Sequence, residues 1–280
     1  YGVTSKTNKG IFKYTKMKKY LVIGNPIKYS LSPKIHNYWI KENNIAAVYD
    51  KRQLNETDIE RIVSEVKNSK IDGINVTAPF KKSAIPFLDQ LTSLAKEAQS
   101  VNTIYKKDSK VVGDNTDIGG FELGLKHINY DLKNRKVFIL GAGGVVPSII
   151  IALRRLGAAK ITLSNRTKEK AENLKKIYPD LEIINWGEIP DFNMIINATS
   201  LGFKNDDEIK LNYSDIGPNK LFYDVIYSPS ETNFLIRGKK FGNQIENGKM
   251  MFIYQAQLSF EIWHGILPKI DNEIVNLLND

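Results

Sequence analysis

Three short stretches bring together side chains able to move protons or hold charge. Gly73-Ile74-Asn75-Val76-Thr77-Ala78-Pro79-Phe80-Lys81 ends an apolar run with two polar side chains and an ammonium within one turn. Gly113-Asp114-Asn115-Thr116-Asp117 sets carboxylates on a loop ahead of a helical segment. Tyr29-Ser30-Leu31-Ser32-Pro33 offers two hydroxyls two residues apart, which share a side if the chain is extended. Ammonium and carboxylate are groups from which acid–base chemistry is assembled. Each stretch also has a purely structural reading. Lys81 alone reads as a solvated lysine, Ser32 as the cap of a helix starting at Pro33, and Asp117 as the cap of a helix from Ile118 onward.

A fourth stretch is suited to a nucleotide. Gly141-Ala142-Gly143-Gly144-Val145-Val146 follows an apolar strand and opens a helix. The first glycine permits a tight turn, and the second lets the backbone approach a pyrophosphate at the positive end of the helix. Val146 stands where a third small residue is usual. The next strand ends in Ser164-Asn165-Arg166-Thr167 with no acid. An acid there would accept from the ribose 2′-hydroxyl of NAD, whereas Arg166 can pair with the 2′-phosphate of NADP. The cofactor expected is therefore NADP.

Composition narrows the field. The 280 residues, 42% hydrophobic and 25% charged, are enough for two domains with buried cores. There is no cysteine, so disulfides, thiolate metal sites and a cysteine nucleophile are excluded. His36, His127 and His264 lie far apart without metal-ligand spacing, and His36 and His264 read as surface or packing residues of helices. Six of the nine net positive charges belong to Lys6, Lys9, Lys13, Lys16, Lys18 and Lys19, ahead of any acid. The remaining body is mildly basic, which suits a carboxylate and a nucleotide better than a nucleic acid. Residues 145–153 are apolar but end at Arg154 and Arg155, too short to cross a bilayer. A cytoplasmic protein is expected, with no membrane or nucleic-acid partner.

The elements that must position these groups follow from periodicity. Residues 1–16 read as a disordered extension or expression remnant, with Met17 as a natural start. Strands are expected at 20–23, 46–54, 71–75, 101–105 and 110–112, the last two around an Asp108-Ser109 turn. Helices are expected from Pro33 through Ile40, over 56–68 and over most of 83–98. From Arg135 onward strands and helices alternate, which implies a parallel sheet covered on both faces. Residues 248–265 form a long helix whose Met, Phe and Trp side chains read as core.

Taken together, the motifs resemble those of shikimate dehydrogenases over about residues 18–268 and in family order. They run from Ser30-Leu31-Ser32-Pro33 through Asn75-Val76-Thr77 with Pro79 and Lys81, Val101-Asn102-Thr103 and Gly113-Asp114-Asn115-Thr116-Asp117. The glycine turn, Asn165-Arg166-Thr167, Asn197-Ala198-Thr199, Asp224 with Tyr227 and Pro229, and Gly248 to Gln255-Ala256 complete the series. The resemblance implies an α/β protein of two domains. Residues 17–117 and 247–280 would form the substrate domain, completed by the C-terminal helix, and 118–246 a Rossmann-like NADP-binding domain. It implies Lys81 and Asp117 as the catalytic pair. Ser30 and Ser32 would hold a carboxylate. Asn75, Thr77, Asn102 and Gln255 would bond ring hydroxyls, with Tyr227 nearby. Gly141, Ala142, Gly143, Gly144, Val145, Asn165, Arg166, Thr167, Lys170, Thr199, Val225 and Gly248 would line the cofactor groove, with no metal.

The implied reaction is the NADPH-dependent reduction of 3-dehydroshikimate to shikimate by a monomer or homodimer. A quinate/shikimate type that uses NAD is disfavoured by Arg166, and a catalytically silent NADP-binding regulator by the presence of Lys81 and Asp117. Replacing Arg166 by Asp removes an attractive charge and adds a repulsive one. Arg166→Asp is expected to lower kcat/KM for NADP by about two orders of magnitude or more, with a much smaller change for NAD. Kinetics with both cofactors at saturating shikimate check this. An unchanged NADP preference would remove Arg166 from cofactor choice.

Overall fold

Short β-branched and aromatic runs bounded by Gly, Pro and Asn become strands, and the longer amphipathic runs become helices. The computed structural model describes residues 3–6, 12–204 and 207–279. Val3–Lys6 (β1) and Phe12–Thr15 (β2) pair as an antiparallel ladder, with Val3 opposite Thr15. Residues 3–6 and 12–15, expected to be disordered, are therefore strands. Residues 1–2 and 7–11 lie outside the described residues. The rest divides into two compact units, residues 1–116 with 256–280, and residues 117–255.

The first unit is built from β3 (Lys18–Gly24), α1 (Ser32–Glu42), β4 (Ala47–Gln53), α2 (Ile59–Lys67), β5 (Gly73–Val76), β6 (Gln90–Leu91), α3 (Ser93–Ala98), β7 (Thr103–Lys107) and β8 (Lys110–Asp114). Its sheet runs β4-β3-β5-β7-β8-β6. The β3, β4 and β5 strands are parallel, β5 and β7 antiparallel, and β7 and β8 form the expected hairpin around Asp108 and Ser109, both at positive φ. Ile59, Ile62, Val63 and Val66 of α2 pack on Leu21, Ile23, Ile74 and Val76 to form one core. The helix expected over most of 83–98 is replaced by a 3-10 turn at Ile85–Phe87, strand β6 and the short α3. Pro86 cannot continue a helix. Asp89 then ties this segment to β8, its N–H donating to Val111 O at 2.9 Å and its carboxylate accepting from Val111 N at 2.8 Å.

The second unit contains α4 (Asp117–His127), β9 (Lys136–Leu140), α5 (Val146–Arg155), β10 (Lys160–Ser164), α6 (Lys168–Ile177), β11 (Glu182–Ile184), β12 (Met194–Asn197), β13 (Leu221–Asp224), α7 (Asn233–Lys240) and β14 (Gln244–Glu246). Its six strands are all parallel in the order β11-β10-β9-β12-β13-β14. The order reverses direction between β9 and β12, the doubly wound pattern whose ligands bind at the carboxyl ends of those two strands. Helix α8 (Lys249–His264) is continuous across the second boundary, and α9 (Asn272–Leu277) follows it. The units divide at 116/117 and 255/256, one residue and nine residues from the boundaries expected at 117/118 and 246/247. The larger offset arises because α8 begins in one unit and ends in the other.

Of the two helix histidines read as surface or packing residues, His36 is buried and His264 half-buried. His36 is 1% exposed, and its ring stacks on Tyr49 with centroids 4.2 Å apart. Phe260, Trp263 and Trp39 surround it, and neither ring nitrogen has a hydrogen-bond partner. Burial, reinforced by His264, holds its pKa down to about 3. The unfolded chain binds a proton there below about pH 6.5, while the folded chain refuses it until about 3. Stability therefore falls as the pH drops through this window. Asp224, which burial pushes up to about 6, acts in the opposite sense between about pH 4 and 6. Comparison with His36→Phe isolates the histidine, since phenylalanine keeps a flat stacked ring. From pH 7 to 5 the wild type should lose about 2 kcal/mol more than the variant. Urea melts at both pH values measure the difference, and equal losses would contradict it.

Candidate active site

In the first unit, polar side chains gather where β5 ends, where β7 begins and where β8 runs into α4. Asn75 on β5 is buried, and its Nδ2 lies within 3.2 Å of three oxygens: Asn102 O, Thr103 Oγ1 and Ser259 Oγ. That fixes its Oδ1 toward Tyr49, whose hydroxyl donates to it at 2.6 Å. Tyr49 also shares a side-chain hydrogen bond with Ser32. The expected ligand contact of Asn75 thus competes with a full set of internal partners. Ser32 is not the cap expected of it. The capping position of α1 falls on Leu31, without a side-chain cap, and Ser32 is the first helical residue. Ser30 Oγ accepts from Ser32 N at 3.3 Å, so the two hydroxyl-bearing residues are held together.

Asn102, 2% exposed, joins three segments. Its carbonyl accepts from Val76 N at 2.8 Å, and its N–H donates to Asp114 O at 3.0 Å. Its side chain clasps Thr116 from both ends, Nδ2 donating to Thr116 Oγ1 and Oδ1 accepting from Thr116 N, each at 2.8 Å. One residue earlier, Val101 N donates to Lys81 O at 2.8 Å. Lys81, half-buried, is thereby pinned beside the same seam, and Thr77 is held by its N–H to Ile23 O at 2.9 Å. Asp114 accepts from Thr92 Oγ1 and from Asn115 N at 2.6 and 2.7 Å. Asp117, the next carboxylate, is 5% exposed and opens α4 directly after Thr116.

In the second unit the glycine turn lies at the point where the sheet reverses. Gly141 has φ +114°, and a Cβ there would come 2.7 Å from Ala198 O and 3.1 Å from Thr199 Cγ2. Gly143 and Gly144 are exposed, and a Cβ at Gly143 would find only Ala198 O, at 3.8 Å. This leaves open backbone at the start of α5, the setting that a pyrophosphate requires. Ala142 and Val145 flank it half-buried, with Val145 at the capping position of α5. Val146 is fully buried and begins α5, so the larger side chain is taken into the core.

Arg166 and Thr167 are exposed on the loop after β10, and Lys170 is exposed in the first turn of α6. Asn165 Nδ2 donates to Thr167 O at 2.7 Å and so shapes the same loop. Val225 N donates to Asn197 O, and Gly248 N to Ile226 O. A Cβ at Gly248 would lie 2.1 Å from Val225 O, so only glycine permits this approach. Tyr227 stacks on Phe252 at 4.6 Å, and Gln255 Nε2 donates to Phe252 O at 2.9 Å. No group of His, Asp or Glu among the described residues is arranged to hold a metal ion.

Beneath these loops lies a brace built from motif residues to which no role was assigned. Asn197 Nδ2 reaches both carboxylate oxygens of Asp224, at 3.1 and 3.0 Å, while its Oδ1 accepts from Thr199 N and Oγ1. Asp224 also accepts from Ile226 N at 3.0 Å and from Thr232 Oγ1 at 2.7 Å. Asn197 and Asp224 are fully buried. Tyr49, Thr103, Thr116 and Ser259 are further buried polar residues whose part the sequence does not mark. For Ser259 the one available signal was a small polar residue on an otherwise apolar helix face.

Two family models match: the shikimate dehydrogenase substrate binding domain over residues 22–104, and shikimate/quinate 5-dehydrogenase over residues 122–201. A shikimate dehydrogenase (NADP(+)) of Pelagibacter ubique is 59% identical over 262 residues, covering 94% of this chain and 99% of its own. The crystal structure of shikimate dehydrogenase from Aquifex aeolicus is 37% identical with a TM-score of 0.87, covering 96% of this chain and all of that one. The Thermus thermophilus enzyme, solved in complex with NADP(H) and shikimate, is 27% identical with a TM-score of 0.85, covering 94% and 98%.

Removing the Asp224 carboxylate strands several of these donors. Asp224→Ala should cost about 2–3 kcal/mol and weaken NADP binding through loss of the loop brace. Thermal melts and NADP titration test both effects. An unchanged Tm would contradict the brace.

Proposed function

The chain belongs to the shikimate dehydrogenase family, and from that premise we propose that Lys81 and Asp117 carry its reaction, the NADP-dependent interconversion of 3-dehydroshikimate and shikimate. This oxidoreductase step serves aromatic amino acid biosynthesis. The observation that carries the residue assignment is the Asn102 seam, which pins the Lys81 backbone and the residue before Asp117 to the same stretch of chain.

NADP, when bound, supplies or accepts the hydride. Residues 141–145, 165–167, Lys170, Thr199, Val225 and Gly248 would hold it, with the 2′-phosphate on Arg166. As negative charge grows on the carbonyl oxygen during reduction, the Lys81 ammonium stabilises it and gives up a proton. In oxidation the neutral amine takes that proton back. Asp117 accepts from a substrate hydroxyl and orients the ring. Ser30 and Ser32 donate to the substrate carboxylate. Thr77, Asn102 and Gln255 bond ring hydroxyls, with Tyr227 alongside, while Asn75 serves chiefly through its internal partners.

The functional division we infer, 17–117 with 247–280 for substrate and 118–246 for NADP, follows the compact units closely. The enzyme is proposed to work in the cytoplasm, as a monomer or homodimer, on a small molecule rather than on nucleic acid or membrane. No helix among the described residues is long and apolar enough to cross a membrane. Preference for NADP over NAD is supported by exposed Arg166 with no acid at the end of β10.

Lys81→Ala should lower kcat by about 10²- to 10⁴-fold, the usual loss for a proton-transfer group. Affinity for NADPH should stay near wild type, because Lys81 belongs to the other unit from the glycine turn. Steady-state kinetics at the nicotinamide absorbance band, with a direct NADPH titration, decide the matter. Near wild-type kcat would remove Lys81 from the mechanism.

A further inference from the structure

Three hydroxyls from separate elements meet inside the first unit. Thr103 Oγ1 on β7 and Ser259 Oγ on α8 are 2.8 Å apart. Thr116 Oγ1, on the loop after β8, lies 3.1 Å from Ser259 Oγ and 3.4 Å from Thr103 Oγ1. Thr103 and Ser259 are fully buried, and Thr116 is 4% exposed. Asn75 Nδ2 donates to two of the three. Asn102 Oδ1 accepts from Thr103 Oγ1 at 3.1 Å and from Thr116 Oγ1 at 3.2 Å, while Asn102 Nδ2 donates to Thr116 Oγ1.

Burying three hydroxyls where apolar side chains would fit gains little stability, since each hydrogen bond mostly replaces one to water. Valine or alanine in their place would fill nearly the same space but would strand amide groups of the buried Asn75 and Asn102. What hydroxyls provide and methyl groups do not is direction. The knot sets the amide plane of Asn102, and it holds the residue covalently joined to Asp117. Its third member reaches it from α8, so the C-terminal helix is tied to this loop by a directional bond as well as by packing.

We propose that Thr103, Thr116 and Ser259 are positioning residues for the reaction, aligning Asn102 and the Thr116–Asp117 backbone on the substrate without touching it themselves. The proposal rests on the functional reading above. If it holds, activity depends on the hydroxyls and not on the volume of these side chains, whereas a structural role would depend mainly on volume.

The test is a crossed pair of substitutions. Thr103→Val and Thr116→Val keep the shape and lose the hydroxyl. Thr103→Ser and Thr116→Ser keep the hydroxyl and lose a methyl group. Ser259→Ala removes the third member. Each Val variant should lose at least tenfold in kcat/KM for shikimate per folded molecule, with the KM for NADP close to wild type and a Tm lowered by the amide group left unpaired. Ser259→Ala should lose about three- to tenfold. Each Ser variant should stay within about twofold of wild type in kcat/KM, even where Tm falls.

Val variants as active as wild type would overturn the proposal. So would Ser variants that lose as much activity as the Val variants, since volume would then be the cause. A Val variant that folds poorly is judged against its Ser partner by kcat/KM per folded molecule, with circular dichroism giving the folded fraction. Wild-type turnover of shikimate with NADP separates the two readings. If the wild type is inactive, the functional reading fails; if it is active and the crossed variants do not differ, only the positioning role fails.

Discussion

The two-ended clasp of Asn102 on Thr116 fixes the loop that leads into Asp117. A buried amide is costly to leave unsatisfied, so its donors and acceptors dictate where neighbouring segments lie. Here the side chain and main chain of one residue, with its neighbour, make three placements at once. The main chain of Asn102 stitches Val76 at the end of β5 to Asp114 at the end of β8, its neighbour Val101 pins Lys81, and its side chain fixes the residue ahead of Asp117. An apolar residue at position 102 would keep these main-chain bonds and lose only the side-chain grip on Thr116.

The second unit uses the same physics at its own sheet ends. Asn197 and Asp224 lie on adjacent parallel strands, and their side chains bind each other and the loops that follow. Burial pushes the Asp224 carboxyl up to about 6 even though its oxygens accept from Thr232, Asn197 and Ile226. A group that remains mostly charged at neutral pH in so dry a place needs every one of those donors. The result is a hydrogen-bonded floor beneath the turn where Gly141 and Ala198 approach.

Polar and aromatic roles are segregated in the first unit. On one side of the knot, Tyr49 links Ser32 to Asn75 through its hydroxyl while its ring stacks on His36. Side-chain stacking therefore holds the tyrosine, and the tyrosine's hydroxyl holds the polar chain. His36 carries no hydrogen bond at either nitrogen and stays neutral far below the usual histidine range. Its value to the fold lies in its flat ring, with an acid-sensitive cost attached.

Much of this was legible from residue order. Alternating strands and helices after Arg135 required a parallel doubly wound sheet, because each strand–helix–strand unit can return only one way. The glycine turn, the absence of an acid after β10 and the identities of Lys81 and Asp117 are local facts, and local chemistry states them without a fold. Other features were decided only by tertiary contact. Residues 83–98 gave up much of their helical pattern because β8 captured Asp89 and Leu91, and a long-range ladder outweighs a weak local preference. Ser32 ceased to be a cap once Leu31 took that position, and Asn75 turned inward because Tyr49, Thr103 and Ser259 converge on it from three other elements. Those partners lie up to 184 residues away in sequence. Hydrogen bonds of such range leave no periodic trace, because the sequence records which donors and acceptors exist and only the folded backbone decides which of them meet.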